Sequence, residues 1–230
     1  MDKLLIQNAR VYQNGQFVRA DVLCGDALIA KIGENLTDKE ARVIQADGLR
    51  LVPGFIDVHT HGAAGVDVNA ADEAGLRRIA AFFATQGVTA FNASVLTDTP
   101  ETTEKCLGAI ANVMSDRGMG AQLLGAHLEG PFLAKEYKGA MPEALLREGD
   151  EKLLRAYQNR FPGVIRYITV SPEVPGVVDM IGKISQDVTV AIGHSGADYD
   201  TSMEAIRRGA RCVTHTFNCL LYTSDAADDR

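Results

Sequence analysis

Continuous apolar runs, each followed by a stretch of helical periodicity, recur from residue 51 almost to residue 215, and this alternation limits the chain to few folds. The runs predict strands over 51–58, 88–94, 122–128, 164–170, 188–192 and 211–215. Helices are predicted between them over 72–86, 100–117, 142–159, 175–186 and 200–208. Strands that are apolar on both faces belong to a parallel sheet covered by helices. Polar residues gather at the C-terminal ends of these runs, which fits an incomplete (β/α)8 TIM-type barrel of about six strands out of eight. A doubly wound dinucleotide-binding sheet is the lesser alternative, because no Gly-x-Gly-x-x-Gly follows the first strand.

Residues 1–50 have a different texture. Short apolar or alternating runs are punctuated by Asn14-Gly15, Gly25-Asp26, Gly33 and Asp47-Gly48, the residues turns require. They predict a small β-sandwich or β-meander that flanks the barrel and carries no chemistry of its own. The expected division is an N-terminal β portion (1–50), a partial barrel (51–218) and a tail (219–230).

Composition excludes several function classes. The net charge is -7 and no basic run is present, which argues against nucleic acid or an anionic membrane as a partner. Cys24, Cys106, Cys212 and Cys219 are scattered, without a CxxC, as expected of a protein in a reducing cytoplasm. The first apolar run, Leu4-Leu5-Ile6, is too short for a signal peptide or a membrane span.

The chemistry lies in the histidines. His59 and His61 close the first predicted barrel strand at positions i and i+2, which place both imidazoles on one face. His127 and Glu129 close the third strand in the same spacing, His194 the fifth and His215 the sixth. All five histidines of the chain therefore sit at strand C-termini, the end where barrel active sites assemble. Several imidazoles with one carboxylate form a normal ligand set for a divalent ion, Zn²⁺ or Fe²⁺. The glycines around His194 (Gly193, Gly196) predict close backbone approach to a ligand.

These motifs carry a resemblance. Pro53-Gly54-Phe55-Ile56-Asp57-Val58-His59-Thr60-His61-Gly62 resembles the metal-dependent amidohydrolase superfamily. His127-Leu128-Glu129-Gly130-Pro131-Phe132, Lys138-Gly139-Ala140, Gly193-His194-Ser195 and His215-Thr216-Phe217-Asn218 resemble its N-acetylglucosamine-6-phosphate deacetylase family, from residue 1 to about 218. The resemblance implies that Glu129, His194 and His215 are the principal metal ligands. It implies that His59 and His61 match a pair that holds a second ion in some members and is missing in others. Ala140, Asn218 and Cys219 match positions that contact a sugar phosphate through the backbone, although alanine is usual where Cys219 stands. His127 is expected beside the substrate, as a donor to the developing oxyanion. The implied reaction is hydrolysis of the N-acetyl group by a metal-activated water in amino-sugar catabolism, by an enzyme that is commonly a homodimer when full length.

The expected continuation is lost after Asn218. Residues 221–230 show no strand or helix pattern and read as a tail left by truncation or misassembly, so the aspartate that serves the family as acid and base near the eighth strand has no counterpart here. Asp225, Asp228 and Asp229 have nothing to place them near a metal. Two further readings stay open. One is an amidohydrolase that opens a cyclic amide or deaminates a base, disfavoured because 165–170 offers no lysine for carboxylation. The other is an inactive metal-binding fragment.

Overall fold

The structure, a computed structural model, describes residues 3–26, 28–118 and 120–216. The chain divides into two compact units, residues 1–54 and 55–230.

The first unit is one five-stranded sheet. Strands β1 (Leu4–Gln13), β2 (Gln16–Gly25) and β3 (Leu28–Gly33) form an antiparallel meander, and β4 (Arg42–Gln45) and β5 (Arg50–Leu51) pair with β1 in parallel. The apolar runs at 4–6 and 10–12 are two halves of β1, interrupted by a bulge between Ile6 and Ala9. Asn8 has φ 63° within that bulge, and its N–H donates to the Asp21 carboxylate at 2.8 Å. Asn14 and Gly15 join β1 to β2 with φ of 50° and 84°, the pair of positive values that a two-residue type I′ hairpin needs. Ala9, Val11, Ala20, Val22 and Ala46 form this unit's small core.

The second unit is a curled parallel half-barrel. Strand β6 (Phe55–Thr60) is followed by a small hairpin, β7 (Gly62–Ala63) and β8 (Val66–Asp67). Then α1 (Glu73–Thr85), β9 (Val88–Leu96), α2 (Pro100–Val113), β10 (Gln122–Glu129), α3 (Glu151–Arg160), β11 (Ile165–Val170), α4 (Val177–Ile184), β12 (Thr189–Ile192), α5 (Tyr199–Arg208) and β13 (Cys212–Val213) alternate. The sheet order is β13-β12-β11-β10-β9-β6, every pair parallel, so each strand lies beside its predecessor in the series. Side-chain oxygens of Asp72, Thr99, Asp150 and Asp198 cap the N-termini of α1, α2, α3 and α5, satisfying backbone donors that have no partner within the helix.

Several boundaries differ from the expectation, each for a local reason. The run 51–58 is two elements. Leu51 belongs to the first unit's sheet, and Pro53-Gly54 intervene before β6, because proline cannot donate to a ladder. The helix expected over 142–159 is a short 3₁₀ turn, Glu143–Leu145, followed by α3. Gly149 separates them and lies so close to the Gly176–Val177 backbone that a Cβ would come within 2.5 Å. Helix α2 stops at Val113 rather than 117, and the last strand is only Cys212–Val213.

The sheet sorts its side chains by face. Phe91, Ala93 and Val95 of β9, Ala126 and Leu128 of β10, and Ile168 and Val170 of β11 enter the main apolar core beneath the helices. The alternating positions Ser94, His127, Glu129 and Thr169 are buried but polar, and they face the other way. That inner polar face leads to the strand ends where the histidines lie.

Candidate metal centre

Glu129, at the last position of β10, is the hub. Its Oε1 lies 3.0 Å from His194 Nε2, 3.0 Å from His215 Nε2 and 3.4 Å from His59 Nε2, while Oε2 lies 3.0 Å from His61 Nε2. Four imidazoles from three other strand ends thus converge on one carboxylate that is 1% exposed. The ligand atoms form two sets, His59–His61–Glu129 and Glu129–His194–His215, each with all atoms within 4.8 Å of one another.

Local backbone structure delivers each ring. The β6–β9 register shifts between Asp57 and Thr60, and the Asp57 carboxylate accepts the His59 N–H at 3.0 Å. The irregular strand end lets His59 and His61 reach the same carboxylate, with their Nε2 atoms 3.0 Å apart. Gly62 then turns the chain with φ 145°, where a Cβ would sit 1.9 Å from the Val66 carbonyl oxygen. His194 and His215 each lie two residues beyond a strand, in the left-handed region with φ of 50° and 58°. The Ser171 hydroxyl, 3.0 Å from the Gly193 carbonyl and 2.6 Å from that of His194, ties the end of β12 to β11.

The outward ring nitrogens fix the tautomers. His194 Nδ1 is 2.8 Å from the Tyr137 carbonyl and His61 Nδ1 is 3.3 Å from the Ser94 carbonyl. A carbonyl only accepts, so both Nδ1 atoms carry hydrogen and both Nε2 atoms turn a lone pair toward Glu129 unless the ring is protonated as well. A lone pair 3.0 Å from a carboxylate oxygen is repulsive until a proton or a metal cation lies between. The same holds for the facing Nε2 atoms of His59 and His61. Zn–N bonds of about 2.0–2.1 Å imply about 3.3 Å between tetrahedral ligands, close to the spacings found here. The donor set therefore fits a divalent cation, with the outer carbonyls orienting the rings as metal-binding histidines are normally oriented.

Electrostatics follow the same geometry. Burial by itself would raise the Glu129 carboxyl, but the hydrogen-bonding imidazoles of His194, His215, His59 and His61 outweigh it and hold the group far below the ordinary carboxylate range. For His61 and His194, burial pulls the ring down, yet the adjacent Glu129 carboxylate and the outer carbonyls leave both raised.

His127 is placed differently from the expectation. It is fully buried one layer below Glu129, with Nδ1 2.8 Å from Ser94 Oγ and Nε2 2.8 Å from Thr169 Oγ1. Both nitrogens are occupied, so it offers no donor to a ligand above. Burial, then the neighbouring His59, depress it to about 3. The glycines around His194 also admit neighbours of another kind. A Cβ on Gly193 would meet Thr169 and Thr214 side-chain carbons at 2.7 and 2.8 Å, and one on Gly196 would meet the Tyr137 ring. Ala140 is exposed in the turn beside Gly139, next to the His194 ring. Asn218, Cys219 and the 219–230 tail lie outside the described residues.

Sequence reasoning passed over Ser94, Thr169, Ser171, Thr214 and Glu173, whose carboxylate accepts Ser195 Oγ at 2.7 Å and Gly196 N at 2.6 Å. A signal existed: Asn92-Ala-Ser94, His127-Leu-Glu129 and Thr169-Val-Ser171 repeat polar residues at i and i+2 near the ends of otherwise apolar strands.

Comparison with known proteins places this geometry. The chain is 31% identical to the N-acetylglucosamine-6-phosphate deacetylase of Lysinibacillus sphaericus over 217 residues, 94% of this chain and 56% of that protein. It is 36% identical to the protein of the same name from Bos taurus, over 93% of this chain and 54% of that one. A solved N-acetyl-D-glucosamine-6-phosphate deacetylase from Mycobacterium smegmatis, in complex with N-acetyl-D-glucosamine-6-phosphate, superposes with TM-score 0.83 at 28% identity, covering 94% of this chain and 56% of that one. The Pasteurella multocida deacetylase gives 0.82 at 25% identity, over 93% and 56% of the two chains. The chain thus spans about half the length of the curated relatives it matches. No described helix is long and apolar enough to cross a membrane. Residues 50–227, well over half of the chain, match the Amidohydrolase family, and the chain belongs to that family.

Proposed function

We propose that this chain is the metal-binding part of a cytoplasmic N-acetylglucosamine-6-phosphate deacetylase, which hydrolyses the N-acetyl group to release acetate. The observation that carries the reading is Glu129 held by His194 and His215 on one oxygen, with His61 on the other and His59 adjoining. Relatives and solved structures of the deacetylase name agree with it over nearly the whole chain.

Glu129, His194 and His215 are assigned as the principal ligands, and His59 and His61 with Glu129 as a second set, for one or two ions of Zn²⁺ or Fe²⁺. An ion bound there supplies water activated near neutral pH and polarisation of an amide carbonyl. The residues of the chain supply the rest. Glu129 brings buried negative charge that, among the described residues, pairs with the imidazoles. Tyr137 and Ser94 carbonyls hold two rings with Nε2 inward, and the Ala140 turn, with Asn218 and Cys219, is assigned to bind the sugar phosphate. His127 is assigned to support rather than to substrate. The acid that protonates the departing amine is not among the described side chains of the cluster, and we place it in the remaining portion of the barrel, along with a homodimer contact.

The test has two parts. The 230-residue chain should retain Zn²⁺ or Fe²⁺ through gel filtration, measured by elemental analysis. Joined to the C-terminal portion of a relative, it should release acetate from N-acetylglucosamine-6-phosphate in preference to dihydropyrimidines or hydantoins. Metal retention with turnover of the cyclic amides alone would replace this reading with another amidohydrolase activity.

A further inference from the structure

One layer beneath Glu129, a line of buried polar groups crosses the inner face of the sheet. The Thr60 backbone N–H donates to Ser94 Oγ at 3.0 Å, Ser94 Oγ is 2.8 Å from His127 Nδ1, His127 Nε2 is 2.8 Å from Thr169 Oγ1, and Thr169 Oγ1 is 2.9 Å from Thr214 Oγ1. All five residues are 9% exposed or less. The line begins on β6, passes through β9, β10 and β11, and ends at the residue after β13.

Its polarity follows from the Ser94 hydroxyl hydrogen, for which His127 Nδ1 is the acceptor found among the described groups. The Thr60 N–H can only donate, so Ser94 accepts there, and its own hydroxyl hydrogen is satisfied by His127 Nδ1. His127 then carries its hydrogen on Nε2 and donates to Thr169, whose hydroxyl hydrogen passes to Thr214. Reversing the imidazole would let Nε2 accept from the Thr169 hydroxyl, but it would leave the Ser94 hydroxyl hydrogen without an acceptor among the described groups of a buried site, the situation buried polar groups avoid.

Each link is also joined to the cluster above. Thr60 lies between His59 and His61, and the Ser94 carbonyl orients His61. His127 packs its ring edge-on against His59 with centroids 4.7 Å apart, and stands two residues before Glu129. The Thr169 carbonyl accepts the Gly130 N–H at 3.2 Å, and Thr214 precedes His215. We propose that the Ser94–His127–Thr169–Thr214 chain is a strut that sets the spacing of the strand ends around Glu129, making His127 a positioning residue of the metal centre. The proposal rests on the metal-centre reading above and goes beyond it in assigning four residues that bind no metal themselves.

Support through the chain, unlike simple packing, depends on the direction of its hydrogen bonds. In the wild-type chain, two-bond ¹H–¹⁵N correlation should show the His127 ring hydrogen on Nε2 rather than Nδ1. Ser94→Ala and Thr169→Val should each weaken Co²⁺ binding about 10- to 100-fold, the usual effect of removing an outer partner of a metal ligand, and alter the visible Co²⁺ absorption band. Thr169→Ser should restore both readouts. In the double variant the losses should be strongly non-additive, because both cuts act through the same imidazole. A hydrogen on Nδ1 of His127 facing Ser94 in the wild type overturns the proposal whether or not any variant folds. So do folded single variants with wild-type affinity and spectrum. Failure of the wild type to bind Co²⁺ would instead overturn the metal-centre reading and leave the tautomer measurement to decide the strut.

Discussion

His194 and His215 share one backbone conformation and one target: both are left-handed, with φ of 50° and 58°, and both place Nε2 3.0 Å from the same oxygen of Glu129. Left-handed backbone costs a residue with a Cβ on the order of 1–3 kcal/mol, and such strain persists where the surroundings over-determine the position. Here it turns the chain sharply after β12 and β13, so that side chains leaving two parallel strands meet at a point.

That convergence separates the two ligand sets experimentally. His194→Ala or His215→Ala should abolish binding at the set containing Glu129 Oε1, lowering its Zn²⁺ affinity by at least about 100-fold. His59→Ala and His61→Ala should spare it to within about 10-fold. Calorimetric titration with elemental analysis measures stoichiometry and affinity together. Equal collapse in all four variants would indicate a single ion held by both sets.

Protons compete with metal at the same nitrogens. Glu129 raises His61 and His194 above the ordinary value near 6.5, so protonation begins on the neutral side and a protonated ring cannot be a ligand. Affinity should therefore begin to fall on the neutral side, above pH 6.5, and go on falling as pH drops, with protons released on binding. His127, depressed to about 3, takes up no proton in this range and contributes none to that release. Calorimetry in buffers of different ionisation enthalpy counts the protons.

Gly193 is a tight packing point immediately before His194. Gly193→Ala forces a methyl group against Thr169 and Thr214 at less than 3 Å, and backbone in a parallel sheet has little room to yield. The variant should lose about 1–3 kcal/mol of stability in urea unfolding and bind metal more weakly than wild type. Gly163, in an open turn with φ 74°, has no atom within 4 Å of the position a Cβ would take, so Gly163→Ala reads left-handed backbone strain without a clash, and the comparison isolates the packing cost.

Cys106 gives a second pH-dependent readout away from the site. Burial, with help from Asp98, pushes its thiol up to about 11, and its Sγ lies 3.5 Å from the Asn69 carbonyl. The folded state keeps the proton that the unfolded chain releases near 8.5–9. The thiol's contribution to stability is therefore present below that range and is lost as pH rises through 11. At pH 8.5 iodoacetamide should label half-buried Cys24 well before Cys106, as read by mass spectrometry of peptides.

Much of this was legible in the sequence, and the reason is periodicity. Alternating apolar runs and helical stretches specify a parallel β/α series, and a histidine at the end of each of several strands can only face one mouth. Glu129 stood out because a carboxylate in that ring of imidazoles has few other uses. His127, expected beside the substrate, lies a layer below Glu129 because i and i+2 share a face but differ by about 6.6 Å along a strand. The strut escaped notice because the i, i+2 polar pairs that include Ser94 and Thr169 mark a polar face but not which residues meet, and the register of β9, β10 and β11 is what brings Ser94, His127 and Thr169 together. The left-handed turns at His194 and His215 are likewise products of tertiary convergence, not of any residue type that announces them.

Zn²⁺ binding to the metal-stripped 230-residue chain, followed calorimetrically at pH 7.5 beside Glu129→Gln, reaches the centre of the account most directly. Tight saturable binding of one or two ions, with proton release and at least about a 100-fold weaker affinity in the variant, is the predicted result. Wild-type binding no stronger than that of Glu129→Gln would contradict it, since the imidazoles would then be gathered around the carboxylate for some purpose other than holding a cation.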